Sequence, residues 1–315
     1  MWLLILFAII IFMVIIINIL YRHTSQYKNE QSQYLRLKHM EKNLDIVNIG
    51  SGPSLYAFDW ENTNLQGCNM AIWPEDFRYD YRILKEYYPC LKKRDGIVIQ
   101  AISPLSFANN SYIHSTNFSE KYVYILPYEE VDLPFLQYIL EKYFPLINHP
   151  RRIKVFFKRA KIEELLDDTE SGQEKKKKSS ENFVKGWIAE NPGLKNLKDV
   201  NAQEIFRDDF KRNINDLNKT YHFCLEKNIQ YYAVVLPISK YLNSFFSKQF
   251  LDVFLFDNIK GTDIPEERVL NFLNDRQFGE MDLYTNGLFL NKIGRKKFTK
   301  IILNKIMIAE KRKHS

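Results

Sequence analysis

The chain has 315 residues, a formal net charge of +7 and 26% charged residues. At 15% aromatic content it is globular rather than disordered, and its Lys and Arg are scattered rather than gathered into a stripe interleaved with aromatics, which argues against a nucleic-acid module. Three widely spaced cysteines, Cys68, Cys90 and Cys224, form neither a disulfide framework nor a zinc motif and read as small core residues.

Residues 1–20, MWLLILFAIIIFMVIIINIL, carry one strongly polar side chain, Asn18. At about 1.5 Å per residue, twenty helical residues span about 30 Å, the hydrocarbon thickness of a bilayer. A cleaved signal peptide would have a basic start, a shorter apolar run and a small-x-small site. No Lys or Arg precedes Arg22, so an uncleaved transmembrane anchor is the expectation. Residues 21–43 are polar with a weak apolar pattern at Tyr34, Leu35, Leu37 and Met40, and read as a short helical stalk. The remaining domain, 44–315, is long enough for a full core.

Within it, residues 44–49 form a β-branched run ended by Gly50-Ser51-Gly52-Pro53-Ser54, a buried strand and a sharp turn. Residues 68–72 are a second short strand. Residues 80–88 have apolar positions at helical spacing and stop at Pro89, and residues 97–102 are a third strand. This alternation predicts a parallel sheet with crossover helices. Residues 127–225 read as a mostly helical insertion, with the charged, low-complexity stretch 171–182 as a mobile loop inside it. An amphipathic helix over 210–227 leads into a fourth strand at 229–237, and residues 298–309 form an apolar closing helix.

Ser51, on a glycine-flanked turn at the carboxyl end of the first strand, is where an open parallel sheet presents ligand-contacting groups. Its hydroxyl and the neighbouring backbone N–H groups are two parts of an acyl-transfer site; an ordinary strand-to-loop turn accounts for the same spacing. A phosphate loop is disfavoured because Gly-Lys-Ser/Thr is missing.

The segment Asn48-Ile49-Gly50-Ser51-Gly52-Pro53-Ser54-Leu55-Tyr56-Ala57-Phe58-Asp59 resembles the first block of SGNH/GDSL-type hydrolases, and in particular a membrane-anchored bacterial subgroup associated with surface polysaccharides. Asn69-Met70-Ala71, Tyr79 to Lys85 and the strand ending Ile102-Ser103 are similar to the next parts, and Leu290-Asn291-Lys292-Ile293-Gly294 with Phe298 is similar to the closing L-N-x-x-G block. The resemblance implies a flavodoxin-like three-layer α/β/α sandwich with a mostly parallel sheet, Ser51 as candidate nucleophile, Gly52 and Asn69 near the oxyanion site, and no metal or organic cofactor. The activity it implies is hydrolysis or transfer of acyl esters on glycans.

The family's D-x-x-H, just before L-N-x-x-G, falls here on Asn286-Gly287-Leu288-Phe289. Phenylalanine accepts no proton and asparagine balances no imidazolium, so Ser51 lacks its expected base. His114 is the candidate substitute, with His149 and His222 weaker, and Asp282 would need a register shift. Two functions therefore stand: a degenerate domain with a glycan-binding or scaffolding role in a surface-polysaccharide system, or an active esterase or O-acyltransferase using Ser51 with an atypical base. Expected partners are the lipid bilayer and surface polysaccharide or its assembly machinery, with no nucleic acid. Arg22, Lys28, Arg36, Lys38 and Lys42 after the anchor favour a cytoplasmic domain, whereas the resemblance implies an extracytoplasmic one; long domains translocate despite flanking charge, and the outside is the expectation.

Overall fold

The computed structural model describes residues 1–108, 116–157, 172–191 and 193–313. In chain order the main elements are α1 (Trp2–Arg22), α2 (Ser25–Lys38), β1 (Ile46–Ile49), β2 (Gly67–Asn69), α3 (Phe77–Tyr87), β3 (Ile97–Ile102), α4 (Phe135–Tyr143), α5 (Gln173–Glu190), α6 (Arg207–Glu226), β4 (Gln230–Val235), β5 (Val269–Asn271) and α7 (Lys292–Lys313). They divide into two compact units, Met1–Met40 with Ser115–Glu164, and Glu41–His114 with Leu165–Ser315. Residues 116–157, part of the stretch read as a helical insertion, thus group with α1 and α2.

In the first unit, α1 is long and apolar enough to cross a membrane, and its side chains point outward along most of its length. Asn18 and Tyr21, near its end, are buried. Asn18 Nδ2 donates to Val14 O at 2.9 Å and its Oδ1 accepts from Leu146 N at 3.0 Å. The one polar residue of the apolar run thus fastens residues 145–148 to the helix. The stalk is helical, as α2, and opens on Thr24, whose hydroxyl accepts from Tyr27 N at 3.2 Å. It is not a free rod, because Tyr34 of α2 stacks on Tyr124 with ring centroids 6.3 Å apart.

The second unit holds a five-stranded, all-parallel sheet in the order β2-β1-β3-β4-β5. Ile46 pairs with Ile97, and Ile97 with Gln230, so the three longest strands start level. One face carries Ile46, Ile99, Tyr232 and Val234 and packs on Phe298, Ile302 and Ile306 of α7. The four-residue spacing of these three puts them on a single helix face. Each such buried side chain contributes about 1.5–3 kcal/mol. Gly294 lets α7 approach, since a Cβ there would lie 2.2 Å from Leu283 O. Over the opposite face, Asp80 of α3 meets Gln100 of β3, and Tyr221 of α6 meets Tyr231 of β4 edge-on at 5.7 Å.

One expectation is corrected by the structure. The charged stretch 171–182, read as a mobile loop, is helical from Gln173 as the start of α5. Lys176 and Ser180 are buried there, and Ser180 Oγ donates to Asn286 O at 2.8 Å. A tertiary tie to a residue 106 positions away offsets the low-complexity composition.

Candidate functional site

A cavity of about 490 Å³ opens at the carboxyl ends of β1 and β3, lined by Ser51 after the first and by Ser103 and Ser106 after the second. In the strand order observed, β1 and β3 are the pair from which the chain winds in opposite directions, which is where open parallel sheets bind ligands.

Gly50 makes the turn that presents Ser51. Its φ is +128°, and a Cβ there would lie 3.0 Å from Ser54 Cβ and 3.1 Å from Ala101 O. Only glycine adopts that backbone without strain. Ser51 then stands at the N-cap of the turn Gly52–Leu55, and its Oγ accepts a hydrogen bond from Glu75 N at 3.0 Å. Among the described residues, no histidine or carboxylate bonds to that hydroxyl. Gly52 gives close contact rather than an open edge, as a Cβ there would lie 2.6 Å from the Trp73 ring.

Asn69 does not line the cavity. Its Oδ1 accepts from Asn48 Nδ2 at 2.8 Å and Ala71 N at 3.0 Å, and its Nδ2 donates to Leu55 O at 3.0 Å. Asn48, buried in β1, also bonds Ser54 Oγ at 3.0 Å and accepts from Trp60 Nε1 at 2.8 Å. The two asparagines brace the turn instead of offering donors to an oxyanion.

Phe289 does line the cavity. Its ring stacks on Tyr56 at 4.8 Å and stands edge-on to Phe183 at 5.3 Å and Trp73 at 6.1 Å. Asn286 is buried, and its Oδ1 accepts from Phe289 N at 2.8 Å and Leu288 N at 3.2 Å. Asp282 is exposed, accepts from Gln173 Nε2 at 3.4 Å and is absent from the lining. His114 lies outside the described residues. His222 pairs with Asp263 at 2.7 Å beside a different hollow, and His149 belongs to the other unit.

Sequence reasoning missed the acidic floor. Glu75, Asp76 and Asp80 all line the cavity and are all buried. Asp76 Oδ1 caps α3 through Tyr79 N at 2.9 Å, and Glu75 Oε2 accepts from Ile72 N at 3.0 Å. Asp80 is enclosed. Burial pushes its carboxyl up to about 7, against the hydrogen bonds from Gln100 and with Glu75 that favour its ionised form. Glu190, at the end of α5, is also raised by burial. Among the described lining residues there are four carboxyls and no Lys, Arg or His, although the chain carries a net +7. The aromatic wall formed by Phe183 and Trp187 comes from α5, whose composition gave no sign of it.

Among the described residues, the first unit holds a cluster with metal-ligand chemistry, Glu120, Glu141 and His149, with ligand atoms within 4.8 Å of one another. Its oxygens are already engaged. His149 Nε2 lies 2.8 Å from Glu120 and 3.2 Å from Glu141, Asn148 Nδ2 donates to both glutamates, and Tyr124 OH and Arg152 Nη1 donate to Glu141 at 2.8 and 3.2 Å. A cation would have to displace these donors and sit beside a guanidinium, so the cluster reads as a buried hydrogen-bonded knot.

No family model matches the sequence, and no curated protein matches it closely enough to stand as a relative.

Proposed function

We propose that this chain is an anchored SGNH-hydrolase-like domain that binds a surface glycan without hydrolysing it. The observation that carries the reading is Phe289. The position where the resemblance calls for a histidine holds a ring packed between Tyr56, Phe183 and Trp73, and the carboxamide of Asn286 is spent on the backbone beside it. A serine without a base remains a hydroxyl for hydrogen bonding. The strand order 2-1-3-4-5 is that of flavodoxin-like sandwiches and supports the fold expected from the resemblance.

Aromatic faces at Trp73, Phe183 and Trp187 suit the apolar faces of sugar rings, and carboxyls and serines suit their hydroxyls. The acidic floor disfavours phosphorylated or uronic sugars. The test is a glycan array probed with the detergent-solubilised full chain, with Trp187→Ala as control. Binding to neutral or amino-sugar glycans that fades in the variant supports the reading, and a blank array refutes it.

A second reading rests on Asp80, a carboxyl that carries its proton near neutrality in the cavity Ser51 lines. On that reading the protein is an esterase or O-acyltransferase with an acidic residue as proton carrier. p-Nitrophenyl acetate turnover that disappears in Ser51→Ala would establish it, and equal background rates would remove it. The proposed location is the cytoplasmic membrane with the α/β unit outside; digestion by protease added to intact spheroplasts tests the side.

A further inference from the structure

The first unit carries a surface that the glycan reading does not use. The short helix Pro145–Asn148 and the 3-10 turns Pro150–Phe156 both pack on α1. On these segments and just after them, Ile147 is 47% exposed, Ile153 42%, Phe156 40% and Phe157 83%. Such side chains facing water together are unusual for a soluble surface. Their height is set by Asn18, whose Oδ1 accepts from Leu146 N. Four residues separate Asn18 from Arg22, so the contact lies about 6 Å from the end of a helix whose length is about that of the hydrocarbon core. Whatever docks on Asn18 therefore sits at the boundary between acyl chains and headgroups.

Two cations share that level, Arg22 and Lys142, and their charge reaches a third, Lys38. Arg22 ends α1, donates through Nη2 to Lys142 O and lies over the half-exposed Tyr143 ring at 6.0 Å. Lys142 Nζ donates to Tyr138 OH at 2.7 Å. Lys38 ends α2. Among the described residues none of the three has a carboxylate partner. Burial and then the charges of Lys142 and Arg22 hold the Lys38 ammonium below its ordinary value. Clustered cations that bond no carboxylate among the described residues attract an anion from outside the chain.

We infer that this unit is a membrane-seated collar: Ile147, Ile153, Phe156 and Phe157 enter the acyl–headgroup boundary, and Arg22, Lys38 and Lys142 hold the headgroup of an anionic phospholipid. Apolar side chains beside basic ones are the composition that lies in a membrane interface. The inference takes α1 as crossing the bilayer and is independent of what the cavity binds.

The test uses the full chain in lipid nanodiscs with Phe157→Trp, compared with the unsubstituted chain to isolate the added fluorophore. Lipids brominated near the glycerol backbone should quench the added emission strongly, and lipids brominated at the chain ends weakly. Added emission that no brominated lipid quenches, from protein that co-elutes with nanodiscs, overturns the collar; failure to enter nanodiscs overturns the anchor with it. The headgroup site is read by native mass spectrometry of protein released from mixed phosphatidylcholine and phosphatidylglycerol. Preference for phosphatidylglycerol should fall about fivefold for each of Lys38→Gln and Lys142→Gln, the factor that about 1 kcal/mol per basic residue gives. No preference in the unsubstituted chain, or the same preference in both variants, overturns the site. Circular dichroism matching the unsubstituted chain shows that the variants are folded.

Discussion

Gln100 Nε2 donates to Asp80 Oδ2 at 2.7 Å, joining the middle of β3 to the first turns of α3 directly beneath the cavity. Both side chains are buried. The bond holds a carboxyl in place where its charged form is poorly solvated.

The pH dependence that follows has a definite sign. Asp80 is raised in the folded state to about 7, so between the ordinary aspartate range and that value the folded protein binds the extra proton. Its contribution is fully present below the unfolded pKa and is lost as pH rises through about 7, a change on the order of 2–4 kcal/mol for a shift of this size. Thermal melts of the full chain should show Asp80→Asn near the unsubstituted protein at about pH 5 and more stable than it at about pH 8. Parallel profiles would show that Asp80 is ionised throughout.

Gly50, in the turn that presents Ser51, has a backbone conformation that a side chain cannot share without strain. Gly50→Ala should destabilise the protein by about 2–4 kcal/mol, through strain and the close contacts with Ser54 and Ala101 O. Urea unfolding measures this. A change under about 0.5 kcal/mol would mean that the turn relaxes.

In the first unit, Glu141 accepts from Tyr124 OH, Asn148 and Arg152 while nearly fully buried. Burial and that carboxylate push the Tyr124 hydroxyl well above its usual range. Glu141→Gln leaves the Arg152 guanidinium facing a neutral amide and should cost about 3–5 kcal/mol. Chelator treatment of the unsubstituted chain should leave its melting temperature unchanged, because the same oxygens serve donors of the protein. A fall on chelation, restored by a divalent metal, would make the cluster a metal site.

Asn291 caps α7 with its Oδ1, accepting from Gly294 N at 3.0 Å and Ile293 N at 3.1 Å, and donates to Asp282 O at 2.7 Å. Asn291→Ala should cost about 1–2 kcal/mol, measured by urea unfolding, without altering glycan binding. The L-N-x-x-G match thus has a structural explanation in this chain: a cap, and a glycine where α7 meets Leu283.

These residues also show what the sequence made legible. The apolar run of α1 and the β-branched runs of β1, β3 and β4 are local patterns, and they predicted the long apolar helix and parallel strands at nearly their observed bounds. Ser51 could be placed at the sheet's rim because one glycine turn after one strand decides it. β5 was not seen, since Val269–Asn271 is three residues, none of them buried. The first part of α5, Gln173 to Asn182, was read as a loop because its tie to the fold runs to Asn286, far along the chain. The acidic floor was missed because Glu75 and Asp80 join the cavity that Ser51 lines only through the fold. The grouping of 116–157 with α1 and α2 includes a bond between Leu146 and Asn18, 128 residues apart, and the stacking of Tyr34 on Tyr124, which no local pattern reports.

The most direct test of glycan binding without turnover is a calorimetric titration of the solubilised full chain with acyl-bearing oligosaccharides released from the surface polysaccharide of the same cells, with the sugar recovered afterwards. Saturable heat, and sugar recovered with its ester groups intact, is the expected result. No saturable heat, or ester loss that stops in Ser51→Ala, would contradict it.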